Sequence, residues 1–216
     1  MSILVERLNK IKSNISSMNL DYKPEIVAVS KTFSIEHINP IINEGHVHFG
    51  ENKVQEALLK WKSVKIQNKK IKLHMIGKLQ SNKAKKAVKI FDFIHSLDNA
   101  DLADKLSKYE SSINKKINYF IQVNIGMESQ KSGIAPNKVK PFLEHCKSLN
   151  MNVIGLMAIP PNDDNTDKHF NDMNELNKSI GLKELSLGMS QDYLLSLKHK
   201  STFLRIGSSI FGERFK

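Results

Sequence analysis

Cysteine occurs once in this chain, at Cys146, which rules out an internal disulfide and any cysteine-built zinc site. Together with Phe142, Leu143 and Leu149 it follows helical spacing, so it is expected to be a small core residue in a protein of the reducing cytoplasm. No apolar run approaches the roughly 18 residues needed to span a bilayer, so no membrane partner is expected. At the N-terminus, Ile3, Leu4, Leu8, Ile11 and Ile15 recur at helical spacing, but Glu6, Arg7 and Lys10 interrupt them. That pattern excludes a signal peptide and predicts an amphipathic first helix. Arginine is confined to Arg7, Arg205 and Arg214, although the formal charge is +11. Base-edge readout favours arginine forks, and single-strand binding favours aromatics among the cations. Neither pattern is present, so no specific nucleic-acid partner is expected. The dense stretches Lys69-Lys70-Ile71-Lys72 and Lys83-Ala84-Lys85-Lys86 read as solvated faces. The other reading is a field that attracts small anions, phosphates included, or weak polyanion binding. The acidic run Asn162–Asp167 lacks the glycine and terminal glutamate of an EF-hand loop, so it reads as a plain loop and no metal site is expected.

What is present is an alternation of strand-like and helical segments over 216 residues. Strands are predicted over 26–31, 46–51, 72–77, 91–98, 118–124, 153–159, 185–189 and 203–207. Helical patterns separate them. Ser34 is placed to cap one helix, and Asp98 or Asn99 another beginning at Ala100. Eight strand–helix units of about 25 to 30 residues predict an α/β fold of one domain over residues 1–216: a (β/α)8 barrel with an extra N-terminal helix. The rival is an open doubly wound sheet. Against it, no Gly-x-Gly-x-x-Gly follows the first strand.

In such a barrel the carboxyl ends of the strands carry the chemistry. Lys31 closes the run Ile26-Val27-Ala28-Val29-Ser30-Lys31. Apolar walls there disfavour an ammonium and free its lone pair for attack on a carbonyl. A lysine that merely snorkels off a strand end is the plainer reading. The last two strands end in Gly188-Met189-Ser190 and Gly207-Ser208-Ser209. Small residues at these ends let backbone N–H groups close around phosphate oxygens, as barrels do after strands seven and eight. Two ordinary turns with capping serines would look the same. Taken with a strand-end lysine, they favour a phosphorylated carbonyl compound. Arg205 lies two residues before Gly207 and shares its strand face. A guanidinium donates and cannot accept, so it would keep a pyridine nitrogen unprotonated. The alternative for Arg205 is a salt bridge to a strand-end acid. Pyridoxal 5′-phosphate (PLP) meets these demands together.

The chain resembles the pyridoxal phosphate homeostasis proteins, barrel relatives of the alanine racemase N-terminal domain. The likeness rests on Val27-Ala28-Val29-Ser30-Lys31-Thr32, Phe49-Gly50-Glu51-Asn52-Lys53-Val54-Gln55-Glu56 and His74-Met75-Ile76-Gly77-Lys78-Leu79-Gln80-Ser81-Asn82-Lys83. It continues through Ile94–Asp98, Gln130–Gly133, Gly155–Met157, Leu187–Tyr193 and Arg205–Gly212. The resemblance implies a Schiff base (aldimine) on Lys31 and a phosphate held by Ser190, Gly207 and Ser208, with the Met189 backbone beside them. It further implies Arg205 facing the pyridine nitrogen, Asn52 near the cofactor and Lys131 near the mouth. His74 lies in a matching segment but reads as a satisfied core residue. Lys53 stands where an aromatic is common in the family, and Leu73 where tryptophan often precedes the histidine.

The resemblance also implies a role in intracellular vitamin B6 homeostasis, buffering or delivering PLP as a monomer, with PLP-dependent apo-enzymes as recipients. The alternative is a PLP-dependent amino-acid racemase. Racemisation needs a base on each face of the α-carbon. Racemases of this barrel type take the second base from a C-terminal β domain, and this sequence runs only four residues past Gly212. Tyr22, Tyr109, Tyr119 and Tyr193 are not expected at strand ends, Tyr193 coming nearest. A non-enzymatic carrier without catalytic residues is therefore expected.

Overall fold

In a computed structural model, which describes residues 2–161 and 163–212, the alternating segments close into a parallel barrel. Helix α1 (Ile3–Ser16) precedes it. The strands are β1 (Glu25–Val29), β2 (His48–Glu51), β3 (Lys72–Met75), β4 (Phe93–Leu97), β5 (Asn118–Val123), β6 (Asn152–Ala158), β7 (Glu184–Ser186) and β8 (Phe203–Ile206). Each pairs with the next, and β8 pairs back onto β1. The outer layer is α2 (Ile35–Asn43), α3 (Val54–Gln67), α4 (Ala84–Ile90), α5 (Ala100–Ser112), α6 (Val139–Ser148), α7 (Thr166–Ser179) and α8 (Tyr193–Lys198), with α9 (Ser208–Phe211) after β8.

Strand side chains alternate between two cores. In β1, Ile26 and Ala28 pack outward beneath the helices, while Val27 joins Phe120, Met157 and Phe203 inside the barrel. Burial on both faces is why the strands read as continuous apolar runs. Helix α1 buries Leu4, Val5, Leu8 and Ile11, and the Ser2 hydroxyl accepts the Leu4 N–H at 3.4 Å. It packs against α2 and α9. Ser34 caps α2, and Asn99 rather than Asp98 caps α5 by accepting the Leu102 N–H at 2.9 Å. Cys146 is fully buried in α6, and burial pushes its thiol up to about 12. Among the described residues, no helix is long and apolar enough to cross a membrane.

All the strands but β6 are shorter than the sequence patterns predict, and the largest consequence concerns Lys31. β1 stops at Val29. The Ser30 N–H still donates to the Gly50 carbonyl at 3.0 Å, but the Phe33 N–H turns back onto the Ser30 carbonyl at 3.2 Å. Lys31 and Thr32 therefore form a turn, with Thr32 at φ 71°. The amine extends from that turn rather than from a strand. The predicted loop over 162–167 is also shorter, because α7 already begins at Thr166; Asn162 lies outside the described residues.

Gly155 shows how tightly the sheet is built, since a Cβ there would lie 1.9 Å from the Glu184 carbonyl oxygen across the β6–β7 pair. Gly155→Ala is expected to lose about 2 kcal/mol of stability by forced overpacking. Urea unfolding followed by circular dichroism would register this as a lowered midpoint.

Candidate functional site

A cavity of about 580 Å³ opens at the carboxyl end of the barrel. Lys31, Asn52, Met189, Ser190, Arg205, Gly207 and Ser208 all line it, although they come from the ends of β1, β2, β7 and β8. The strand-end residues Gly77, Lys78, Ser96, Asp98 and Asn124 are not among its walls. The opening is thus set off toward the β1–β8 side. Apolar and loop residues complete it, including Val29, Phe33, Ile76, Pro160, Pro161 and Gly212.

The turn that carries Lys31 is clamped from below. Glu51 is fully buried, and its Oε1 accepts from the Ser30 hydroxyl at 2.7 Å, Trp61 Nε1 at 2.9 Å and Lys60 Nζ at 2.8 Å. Lys60 also donates to the Ser30 and Phe33 carbonyls at 2.8 and 2.9 Å. On the other side of Lys31, the Thr32 N–H donates to Glu56 Oε1 at 2.6 Å. Burial raises the Glu51 carboxyl above its usual range, and the opposing attraction of Lys60 lowers it by less. The clamp therefore fixes both backbone neighbours of Lys31, which itself lines the cavity.

Opposite lies a turn pair joined by Ser190. Its Oγ accepts the N–H groups of Gly207 and Ser209, both at 3.2 Å, and the Ser209 hydroxyl donates to the Ser190 carbonyl at 3.3 Å. A hydroxyl oxygen thus occupies the position where backbone donors converge, the arrangement an anionic oxygen would use. The Met189 N–H is not free for that purpose, since it donates to Asp192 Oδ1 at 2.6 Å. Met189 itself lies in the cavity wall beside Ser190. Gly188 is required for this bend, with φ +82° and a Cβ position only 2.2 Å from Ser196 Oγ.

Arg205 does not form the salt bridge offered as its alternative: among the described residues no carboxylate pairs with it. Nη1 donates to the Ser186 carbonyl at 2.7 Å and the Ser186 hydroxyl at 2.6 Å, and Nη2 to the Ala158 carbonyl at 2.9 Å. Burial pulls the guanidinium down to about 10, which still leaves it charged at neutral pH. Asn52 Oδ1 is buried and has no hydrogen-bond donor, an acceptor suited to an N–H or O–H of a bound molecule. A lysine, an arginine, converging N–H groups and an orphaned acceptor therefore fit a phosphorylated aromatic aldehyde.

Other expected residues fall outside the cavity wall. Lys131 donates to the carbonyl of the rim residue Pro160 at 3.2 Å and pairs with Glu128 at 2.6 Å. Tyr193 is buried toward α1, where its hydroxyl accepts from Asn14 at 3.0 Å. His74 is a buried core residue as expected, but its partners are imidazoles. It joins His48 at 2.9 Å and His95 at 2.8 Å.

The fold and its mouth define a parallel (β/α)8 barrel of the alanine racemase N-terminal class, and that domain family matches residues 7–215. The pyridoxal phosphate homeostasis protein of Aquifex aeolicus is 36% identical over 200 residues, 88% of this chain and 87% of that protein. The protein of the same description from Schizosaccharomyces pombe is 36% identical over 229 residues, covering 99% and 94%. The solved structure of PipY from Synechococcus elongatus with PLP bound has a TM-score of 0.87 at 32% identity, covering 98% of this chain and 100% of that one. The chain belongs to the pyridoxal phosphate homeostasis protein family. A histidine racemase from Leuconostoc mesenteroides shares the fold at TM-score 0.75 and 16% identity, this chain covering 57% of it.

Lys60→Met would leave the Glu51 carboxylate buried without its cation. We expect a loss of about 3 kcal/mol, the scale of a broken buried pair. Adding Glu51→Leu should restore much of that loss, as denaturant midpoints of the single and double variants would show.

Proposed function

We propose that the mouth binds PLP and that the protein serves intracellular PLP homeostasis by holding and releasing it without turnover. In this reading the Lys31 amine forms a covalent C=N bond to the aldehyde. Ser190, Gly207 and Ser208 hold the phosphate, Arg205 faces the pyridine nitrogen, and Asn52 accepts a hydrogen bond from the bound molecule. The Met189 backbone lies beside them, with its own N–H held by Asp192. The observation that carries the reading is the convergence of these residues on one cavity from opposite ends of the chain.

The absence of turnover draws on two further features. A guanidinium can donate to the ring nitrogen but never protonate it usefully, and an unprotonated pyridine is a weak electron sink. Moreover, the described cavity wall contains no tyrosine, histidine or cysteine to act as a second base; its one carboxylate, Asp192, is held by the Met189 N–H. Such a site suits reversible loading, with PLP-dependent apo-enzymes as recipients.

Protein incubated with PLP should turn yellow, and borohydride should bleach it and leave the added mass on the Lys31 peptide. A Lys31→Ala protein that still formed the reducible adduct would overturn the covalent assignment. Turnover is tested separately. Amino acids incubated with the loaded protein in deuterated water are expected to show no exchange of the α-proton above the rate given by free PLP. Sustained exchange at enzymatic rates would restore the racemase alternative.

A further inference from the structure

The interior of a (β/α)8 barrel is ordinarily packed with branched aliphatic side chains. Here a file of imidazoles crosses it. Glu25, the first residue of β1, lies at the amino end with its side chain 42% exposed, and its carboxylate is 3.6 Å from His48 Nε2. His48 Nδ1 is 2.9 Å from His74 Nε2, and His74 Nδ1 is 2.8 Å from His95 Nε2. His95 Nδ1 is 2.9 Å from the Ser186 hydroxyl, which accepts from Arg205 Nη1 at 2.6 Å. The file climbs because the barrel is sheared. His48 is in register with Lys72, two residues before His74, and His74 is in register with Phe93, two residues before His95. Each ring thus sits two residues further along its strand than the register alone would place it, with successive ring centroids 5.1 Å apart.

The surroundings leave each ring only its edge nitrogens for bonding. Phe93 stacks on His74 with centroids 4.2 Å apart, and Phe120 stacks on His95 at 4.3 Å. Burial drives the proton affinity of His74 and His95 well below the ordinary range, and that of His48 down as well, so the rings are neutral at physiological pH. A neutral imidazole has one N–H and one lone pair. A file of them therefore has a direction, and its ends choose it. At the mouth, Arg205 can only donate, so it occupies a lone pair of Ser186 and leaves the hydroxyl proton to point at His95 Nδ1. At the amino end, a carboxylate faces His48 Nε2 and favours an N–H there. Both ends demand the same order: hydrogen on Nε2 and a lone pair on Nδ1 of His48, His74 and His95.

We infer that Glu25, His48, His74 and His95 are positioning residues that act through Ser186 on Arg205. The one-directional hydrogen-bond file of the three rings, with the Glu25 carboxylate setting its direction across 3.6 Å, fixes how the guanidinium is presented to the cavity from the opposite end of the barrel. Reversing the file would give Ser186 two donors at once and strand its own proton. The solvent-facing carboxylate at the amino end thereby contributes to ligand binding at the mouth. The effect on the ligand rests on PLP binding as proposed above; the hydrogen order itself does not.

Long-range proton–nitrogen correlation spectra of ¹⁵N-histidine-labelled protein, free of PLP, read the order directly. All three rings of the file are expected to show pyrrole-type Nε2 and pyridine-type Nδ1. An Nδ1–H tautomer or an imidazolium at any of them in the wild type would overturn the inference. Glu25→Lys places a donor where the file needs an acceptor, at an exposed position remote from the cavity. It should move the nitrogen shifts of His95 as well as His48. It should also weaken PLP binding roughly threefold to tenfold, the scale of one disturbed hydrogen bond to a charge, and shift the absorption band of the bound form. Shifts confined to His48, with His95 and the PLP spectrum unchanged, would show that nothing is transmitted. Failure of the wild type to bind PLP at all would sink the proposed function, while the tautomer measurement would still decide the file.

Discussion

Pairing of β8 against β1 is the contact on which the site depends. Its register sets Glu25 beside Phe203, Ile26 beside Leu204, Val27 beside Arg205 and Ala28 beside Ile206. The turn after the first strand therefore faces the turn after the last, and Lys31 shares a cavity with Gly207 and Ser208. In an open sheet those turns would stand at opposite edges. Ser190 extends the same closure by one strand, because its hydroxyl ties the turn after β7 to the amides of Gly207 and Ser209. The geometry that completes the hydrogen-bond ladder is thus the geometry that brings Lys31 and the glycine–serine turns to one cavity, the arrangement on which the proposed PLP site rests.

Much of this was legible in the sequence because parallel strands buried on both faces leave uninterrupted apolar runs. Every predicted strand exists, and the small-residue turns after the last two lie at the mouth. Strand ends were less legible. The run Ile26–Val29 is apolar and the Ser30 N–H still donates to β2, yet Lys31 leaves the ladder, because its neighbours Ser30 and Thr32 are drawn onto Glu51, Lys60 and Glu56 of the neighbouring unit. Such a clamp carries no local pattern. Apolar wall residues such as Ile76 and Pro161 gave no chemical signal either. The role proposed for Asn52 is implied by the family resemblance alone, since a single asparagine at a strand end carries no pattern of its own. The histidine file was invisible for another reason. Its members lie 26 and 21 residues apart, and only the barrel's shear converts those separations into hydrogen-bond distances.

Arg205 is the most demanding of the buried groups. It is 4% exposed, with no carboxylate partner among the described residues. Its charge is met instead by carbonyls of β6 and β7 and by one hydroxyl. Hydrogen bonds to a charged group contribute more than neutral ones, about 1.5 to 3 kcal/mol each, so three such contacts offset a large part of the desolvation. Because every one of these partners accepts, the guanidinium is held without being neutralised. Its positive potential persists at the cavity wall, where an anionic or lone-pair-bearing ligand gains from it. A carboxylate in place of these carbonyls would have secured the arginine equally well and cancelled that field.

The same reasoning bears on why the interior is not simply apolar. Each unsatisfied buried imidazole would cost about 1 to 3 kcal/mol, so a row of them is tolerable only when every nitrogen finds its partner at once. Such a row is all-or-none. Replacing one member by leucine would fill the space yet orphan a nitrogen on either side. Aliphatic packing throughout would avoid that vulnerability, but it would leave the Ser186 hydroxyl free to rotate. The row removes that freedom, and the guanidinium acquires a single orientation. Phe93, Phe120 and Phe203 cover faces of His74 and His95, which are fully buried, so these two rings keep only their edge nitrogens for bonding. The polar file and its aromatic casing are therefore one device: the casing makes an unpaired nitrogen too costly, and the file ensures that none is left unpaired.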